Sequence, residues 1–418
     1  MTYRVSPSKS GASRRMGAAR GSERGAGRRP PAGRAAVVLH PFPTLSSPGA
    51  TPSPAPRPAP ADVPPDVWRA RALVLRHGWN AVAYQILNPG LSLWFAAAGD
   101  AVVGYVRHTG VTVVAGAPVC AEERLAAVVR EFEAARGPRV CYFAAGDRLE
   151  SMLGRDAGRA TVLLGAQPVW TPRRFADAIG GHASLRAQLA RARNKGVVVE
   201  EWPAERASRH PALLRCLAEW LATRGLPPLH FLVEPDTLGR LWDRRVFVAV
   251  LGDEPVAFLV ASPVPARDGW LVEQLVRGHR APNGTSEVMV AAAMAALADG
   301  GARWATLGLS PLSRRAALDA PPTPAWLALT LRWVRAHGRR FYDFDGLDAF
   351  KAKLRPEWWE PIYALADEPR FSPRTLWAVA AAFSGGSPTL LMARAVGRAV
   401  VEESARLSAL GSRLNHRP

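Results

Sequence analysis

The sequence predicts an α/β protein of two units in series, each a mixed sheet with helices packed on it. Short apolar runs rich in Val, Ala, Trp and Phe alternate with helix-like stretches, the pattern of α/β domains. The alternation halts near Ser184 in a basic stretch and then begins again, with no sequence repeat between the two rounds. The composition is ordinary for a globular chain: 418 residues, 48% hydrophobic and 21% charged, long enough for two domains.

Residues 1–65 are dense in Arg, Gly, Ala, Pro and Ser and read as a disordered basic tail. Ten basic residues there face only Glu23 and Asp62, ten minus two leaving +8. The tail reads equally as a polyanion-binding arm, a solvated linker or the product of an upstream start codon. The first unit is expected over 66–180. Asp66 to Gly78 reads as a helix stopped by its glycine. Strands follow at Ser92 to Ala96, Ala101 to Val106 and Thr112 to Ala115. A helix from about Glu122 to Arg136 leads to a strand, Arg139 to Ala144, and a helix–strand pair closes at Thr161 to Leu164.

The second unit is expected over 181–367. Ser184 to Lys195 reads as a basic helix stopped by Gly196, followed by a strand, Val197 to Glu200, and a helix, Pro211 to Arg224. Strands Val246 to Leu251, Pro255 to Ser262 and Trp270 to Val276 lead to a loop, Arg277 to Gly284, and a helix ending near Gly300. A strand, Trp304 to Leu307, a helix, Thr323 to Gly338, and the segments Phe341 to Phe344, Gly346 to Trp358 and Pro361 to Leu365 complete the unit. Residues 368–418 read as a helical tail, Thr375 to Phe383 and Thr389 to Leu410, that covers the core or lies on a bilayer.

A formal charge of +19 favours polyanionic partners, nucleic acid or an anionic membrane surface, unless it reflects a general bias toward Arg. Cys120, Cys141 and Cys216 lie in apolar contexts without metal-ligand spacing and read as buried thiols of a reducing compartment. No window reaches the roughly 20 apolar residues of a membrane span, and the apolar run Ala35 to Leu39 is too short for a signal peptide. A cytoplasmic protein is expected. No metal motif, Walker loop or nucleophile elbow is present.

The loop from Arg277 to Glu287 carries the most chemistry. It leaves a strand and opens a helix through Pro282-Asn283-Gly284-Thr285, with Asn283 or Thr285 available as N-cap. Such a helix start aims free N–H groups at a phosphate, a carboxylate or a developing oxyanion; it also serves as a plain tight turn.

Six blocks fall in order along the chain: Tyr84 to Asn88, Val113 to Val119, Leu185 to Gly196, Ala281 to Glu287, Leu307 to Leu312 and Phe350 to Trp358. Together they resemble the cytosolic catalytic domain of the phosphatidylglycerol lysyltransferases, the multiple peptide resistance factor family, over roughly Asp66 to Asp367. The resemblance implies two acetyltransferase-like (GNAT) folds in tandem and transfer of an aminoacyl group from a charged tRNA to a lipid hydroxyl. Aminoacyl-tRNA is then a co-substrate and no cofactor is needed. An anionic membrane lipid is the acceptor, reached by peripheral contact at the inner face of the membrane. No DNA partner is implied, and nothing in the sequence indicates an oligomeric state. That family often carries a flippase domain upstream, and none is expected here.

The loop Arg277 to Gly284 lacks the Arg/Gln-x-x-Gly-x-Gly/Ala pattern that cradles the CoA pyrophosphate in ordinary acetyltransferases, which disfavours an acyl-CoA donor. The resemblance makes Arg277 the first candidate for contacting the donor or the acceptor, with a salt bridge as its plainer role. One of Lys351 and Lys353 would stabilise the oxyanion or hold the terminal tRNA phosphate; on a helix they diverge by about 200°, so only one faces the site. Asn283, Gly284, Thr285 and Glu287 would bind substrate at the helix start. Arg191, Arg193 and Asn194, with Arg186 and Lys195, would contact tRNA or a lipid headgroup.

The family's acidic residue three positions before the Arg is Gln274 here, with Glu273 beside it. Neighbours on a strand face opposite ways, so Glu273 substitutes only if a bulge turns it inward, and a neutral or smaller aminoacyl group becomes plausible. His230, Glu234 and Asp236 are further candidates for a general base. The expected function is an aminoacyl-tRNA-dependent lipid aminoacyltransferase. The alternatives are an acyl-CoA-dependent N-acyltransferase of the same fold and a non-catalytic tRNA- or membrane-binding protein.

Overall fold

The computed structural model describes residues 63–154, 158–224, 228–316, 324–337 and 343–389, with the backbone alone at 333–337. The tail 1–62, Phe341 and Tyr342, and the expected last helix from residue 390 onward lie outside the described residues.

The first half runs α1 (Pro65–His77), β1 (Ser92–Phe95), β2 (Val102–His108), β3 (Val111–Ala115), α2 (Leu125–Arg136), β4 (Val140–Ala145), α3 (Asp147–Leu153), β5 (Ala160–Trp170) and α4 (Phe175–Gly180). The second runs α5 (Ala183–Asn194), β6 (Val197–Trp202), α6 (Ala204–Ala207), α7 (Pro211–Ala222), β7 (Arg245–Leu251), β8 (Glu254–Val264), β9 (Gly269–Arg277), α8 (Thr285–Asp299), β10 (Trp304–Thr306), β11 (Ser310–Pro311), α9 (Ala325–His337), α10 (Phe344–Lys353), β12 (Trp358–Ala366) and α11 (Pro373–Phe383). The expected elements recur with shifted ends. The segment at Phe344 opens α10 under an Asp343 cap, whose carboxylate accepts from the Gly346 N–H.

All strands join one 12-stranded sheet, ordered β1-β2-β3-β4-β12-β5-β10-β9-β8-β7-β6, with β11 pairing β5 off this path. The two halves repeat one topology. Antiparallel strands lead to a parallel pair, β3 with β4 and β9 with β10, joined by a crossover helix, α2 or α8. This repetition is the tandem acetyltransferase-like form that the family resemblance implied. The halves are also interleaved. β12, late in the chain, lies between β4 and β5, antiparallel to both. β5 in turn is paired by β10 and β11 of the second half. These partners explain its length, well past Leu164. Gly165 and Pro168 break the apolar pattern, yet flanking strands hold the backbone extended. At Gly165 (φ +150°) a side chain would collide with the Ser310 carbonyl, so only glycine admits β11 there.

Helices cover both faces. α5 and α8 pack with Val272, Ala257 and Leu259 on one face of the second half. α7 and the segment around Leu238 and Leu241 pack with Val246, Phe258 and Val276 on the other. In the first half α1 and α11 share one core and α2 and α3 the other. The sequence of α8 is apolar on all sides, as a helix enclosed by sheet, α5 and α4 requires. Met289, Met294 and Leu297 are wholly buried there, each contributing roughly 1.5–3 kcal/mol by burial. All three cysteines are buried and free, and burial pushes the Cys120 thiol up to about 11.

Candidate functional site

In the second half the parallel pairing of β9 and β10 stops at Leu271 and Thr306, while β9 runs on to Arg277 with only β8 beside it. The carboxyl end of a parallel pair whose strands part is where α/β folds present ligands. Four groups of candidate residues lie on the elements that flank this parting, and the contacts send them to different places.

Glu273 and Gln274 come first. Val260 and Ala261 of β8 pair with Gln274 and Val272, leaving Glu273 as an extra residue, a β-bulge. Val272 packs toward α5 and α8, whereas Gln274 and Val276 face the α7 side. Strict alternation fails at this bulge. The two side chains reach the same side, where both are fully engaged. Gln274 accepts from the Thr237 hydroxyl and donates to the Pro235 carbonyl at 2.8 Å. Glu273 forms an ion pair with Arg244, the two side chains 9% and 3% exposed, and accepts from Gln85 Nε2 at 2.6 Å. Burial lowers the Arg244 guanidinium, but Glu273, with Tyr84 and Asp243 beside it, holds it above its ordinary value. Gln85 also donates to Ser262 Oγ, and Arg244 to Asn88 Oδ1 at 3.4 Å. Arg244 and Asn88 were assigned no role from the sequence. The ordered block Tyr84 to Asn88 and the charged run Asp243 to Arg245 between apolar stretches were their signals.

The start of α8 is built otherwise than the sequence indicated. The N-cap is Gly284, in a left-handed turn (φ +95°), with no side-chain cap. Thr285 is buried and donates its hydroxyl to the Pro282 carbonyl at 2.7 Å, and Asn283 is exposed. A side chain on Gly284 would strike the Gln188 carbonyl, because α5 crosses this helix start. Glu287 lies buried in the first turn, where the helix dipole favours its charge.

Lys351 and Lys353 diverge as a helix demands, and each meets different partners. Lys353 Nζ pairs with Glu287 Oε1 at 2.5 Å and donates to Gln188 Oε1 at 2.8 Å, tying α10 to α8 and α5. Lys351 is 4% exposed. Its Nζ donates to the Gly308 and Leu309 carbonyls at 2.8 and 2.9 Å, just past the end of β10. Burial pushes this ammonium down to about 7, only partly opposed by Asp348. A lysine titrating near neutrality at the parting of β9 and β10 can pass a proton either way. Beside it, the buried Ser310 Oγ has no hydrogen-bond partner among the described residues.

Arg277 ends β9, exposed, with no ion pair among the described residues. On α5, Leu185, Leu189 and Ala192 are buried, while Arg186, Arg191, Arg193, Asn194 and Lys195 face outward. The structure therefore brings Glu287, Lys353 and the α8 start together under α5, and Lys351 to the strand parting. It joins Glu273 and Gln274 to the 235–244 segment instead. His230 forms an exposed pair with Glu234 at 3.1 Å, and Asp236 caps the Gly239 N–H; both serve their own turn.

Among the described residues no helix is long and apolar enough to cross a membrane. The chain matches no curated protein. Two of the solved structures that resemble it are informative. One is the C-terminal domain of a protein named as a lysylphosphatidylglycerol synthetase from Agrobacterium fabrum, 25% identical, TM-score 0.64, covering 77% of this chain and 98% of that one. The other is L-PGS from Bacillus licheniformis, 20% identical, TM-score 0.63, covering 79% and 98%, a likeness of fold. The family described as phosphatidylglycerol lysyltransferase, C-terminal, matches residues 71–366, so the chain belongs to that family of lipid aminoacyltransferases.

Proposed function

We propose that the chain transfers an aminoacyl group from an aminoacyl-tRNA to a hydroxyl of an anionic lipid of the phosphatidylglycerol class, at the mouth where β9 and β10 part. The observation that carries this reading is the α5 helix lying across the start of α8. An acyl-CoA enzyme of this topology needs those first N–H groups open to a pyrophosphate. Here the Gln188 carbonyl lies against Gly284, and Lys353 is drawn to Glu287 and Gln188. A donor held by the body of its tRNA needs no such cradle, and the outward basic face of α5 offers phosphates a contact surface.

In the reaction the lipid hydroxyl oxygen bonds the ester carbonyl carbon, the bond to the tRNA ribose breaks, and the hydroxyl proton passes to the ribose oxygen. The ester is already activated, so positioning and charge stabilisation suffice. Lys351 relays the proton, and exposed Arg277 meets the phosphate of donor or acceptor. The transferred group is neutral on this reading: Gln274 is uncharged and the Glu273 carboxylate is taken up by Arg244, leaving neither to grip a cationic side chain.

The test is incubation of the protein with total charged tRNA and phosphatidylglycerol vesicles, followed by mass spectrometry of the lipids. A new aminoacyl lipid is expected, with Arg277→Ala lowering kcat/KM by roughly 10²-fold and leaving stability within about 0.5 kcal/mol. Failure to form such a lipid with any amino acid, or stoichiometric acetyl-CoA binding in calorimetry, overturns the reading.

A further inference from the structure

Lys351 stands beside a polar pair that the proposed reaction does not use. Asp348 lies three residues before it on α10, on the same side of the helix. Arg315, in the turn after β11, donates from Nε to Asp348 Oδ2 at 2.9 Å, and its guanidinium lies over the Trp359 ring, 5.1 Å from the centroid. The other carboxylate oxygen, Asp348 Oδ1, is buried and has no hydrogen-bond partner among the described residues.

This arrangement suits a neutral amine. With two N–H bonds and one lone pair, neutral Lys351 satisfies the Gly308 and Leu309 carbonyls and can still accept a proton. The ammonium adds a third N–H in a buried position, with no partner for it among the described residues, and an unmatched buried donor is destabilising. On one helix face, then, the ammonium is short of an acceptor and Asp348 Oδ1 is short of a donor. Among the described residues Asp348 is the charged group that acts on Lys351, against the effect of burial. β11 and the Gly308–Leu309 turn bring carbonyls and the Ser310 hydroxyl but no charge, and Lys353 and Glu287 pair with each other.

Arg315 is exposed, as is Arg314 beside it, and neither Nη group of Arg315 has a partner among the described residues. A guanidinium with its fork open to solvent takes phosphate well, and a phosphate there competes with Asp348 for the same cation.

We propose that Asp348 is a positioning residue that decides how firmly Lys351 holds a proton, and that a phosphate group binding Arg315 releases Asp348 to the ammonium. This rests on the reading of Lys351 as the proton relay. The freed carboxylate steadies the ammonium that forms when the acceptor hydroxyl gives up its proton. As the ribose oxygen takes that proton, the amine returns to its two carbonyls. Asp348 gains no proton itself, the part an aspartate plays behind a catalytic base. Proton transfer is thereby tied to the presence of a phosphate-bearing substrate.

The chain has four lysines, Lys9, Lys195, Lys351 and Lys353, so NMR of the full chain isotope-labelled at lysine Cε gives few signals, and Lys351→Arg identifies the one in question. Its titration midpoint, expected at about 7, is read without tRNA or lipid, so its outcome is distinct from failure of the aminoacyl-transfer reading. Asp348→Asn should lower the midpoint and Arg315→Leu should raise it, each by about one pH unit, while Arg315→Lys, which keeps the cation, leaves it in place. Glycerol phosphate should raise the midpoint of the unmodified chain and leave that of Arg315→Leu unchanged. The acid limb of the pH dependence of aminoacyl-lipid formation should move with the midpoint in each variant. A midpoint that neither Asp348→Asn nor Arg315→Leu moves, with circular dichroism unchanged, overturns the role of Asp348. No response of the unmodified chain to glycerol phosphate, or a response that survives Arg315→Leu, overturns the role of Arg315.

Discussion

Lys351 is held by two carbonyls rather than a carboxylate, and that choice of partner sets its chemistry. A buried ammonium facing Gly308 and Leu309 keeps its hydrogen bonds but gains no countercharge of its own, so burial drives its pKa down to about 7 from 10.5. The sign of the linked stability follows. Between those values the unfolded chain binds a proton at this residue and the folded chain does not, so folding is favoured increasingly as pH rises from 7 toward 10.5. Against Lys351→Met, which removes the titration, the unmodified protein should gain relative stability over that window in chemical denaturation at fixed pH steps. A pH-independent difference would show that the ammonium is not held in its low-pKa surroundings. The neighbouring Lys353, paired with Glu287, is the contrasting case, a lysine whose countercharge is supplied.

At the scale of elements, the contact of α5 with α8 decides what the second half can bind. The start of α8 has the residues of an anion site, yet α5 closes it, and Gly284 is the residue that lets α5 approach. Its positive φ and the nearby Gln188 carbonyl act together against any side chain. Gly284→Ala should therefore cost more than about 1 kcal/mol from backbone strain alone, with the clash added to it. Equilibrium denaturation checks the stability, and loss of protection at the α5 amides in hydrogen exchange checks that the two helices have separated. A neutral substitution would mean that α5 does not press on the turn.

For the whole molecule, the exchange of strands matters more than either half taken alone. Residues 63–180 without the remainder would lack β12 and β10, leaving β4 with one bare edge and β5 with two. Bare apolar edges aggregate. Expressed alone, this half should fail to give a soluble, cooperatively unfolding species, whereas co-expression with the remainder should restore it. A cooperative thermal transition for the isolated half would contradict this.

Much was legible in the chain. Periodicity and stop signals located the helices and most strands, and the six ordered blocks pointed to the family before any contact was known. The divergence of Lys351 and Lys353 followed from helical geometry alone. The bulge at Glu273 was not legible, because it depends on Val260 and Ala261 of another strand accepting partners two residues apart. Nor could the sequence disclose that Glu273 is claimed by Arg244, 29 residues away.

By itself the sequence determined which segments are helices and strands and which residues have the chemistry to act, since propensity and amphipathic spacing are local properties. Only the tertiary structure decided that α8 starts beneath α5, that β12 enters between β4 and β5, and that Glu273 and Gln274 share a face with no free carboxylate between them. Those outcomes rest on pairings between distant segments, which are set by packing and charge neutralisation across the fold rather than by any residue's near neighbours.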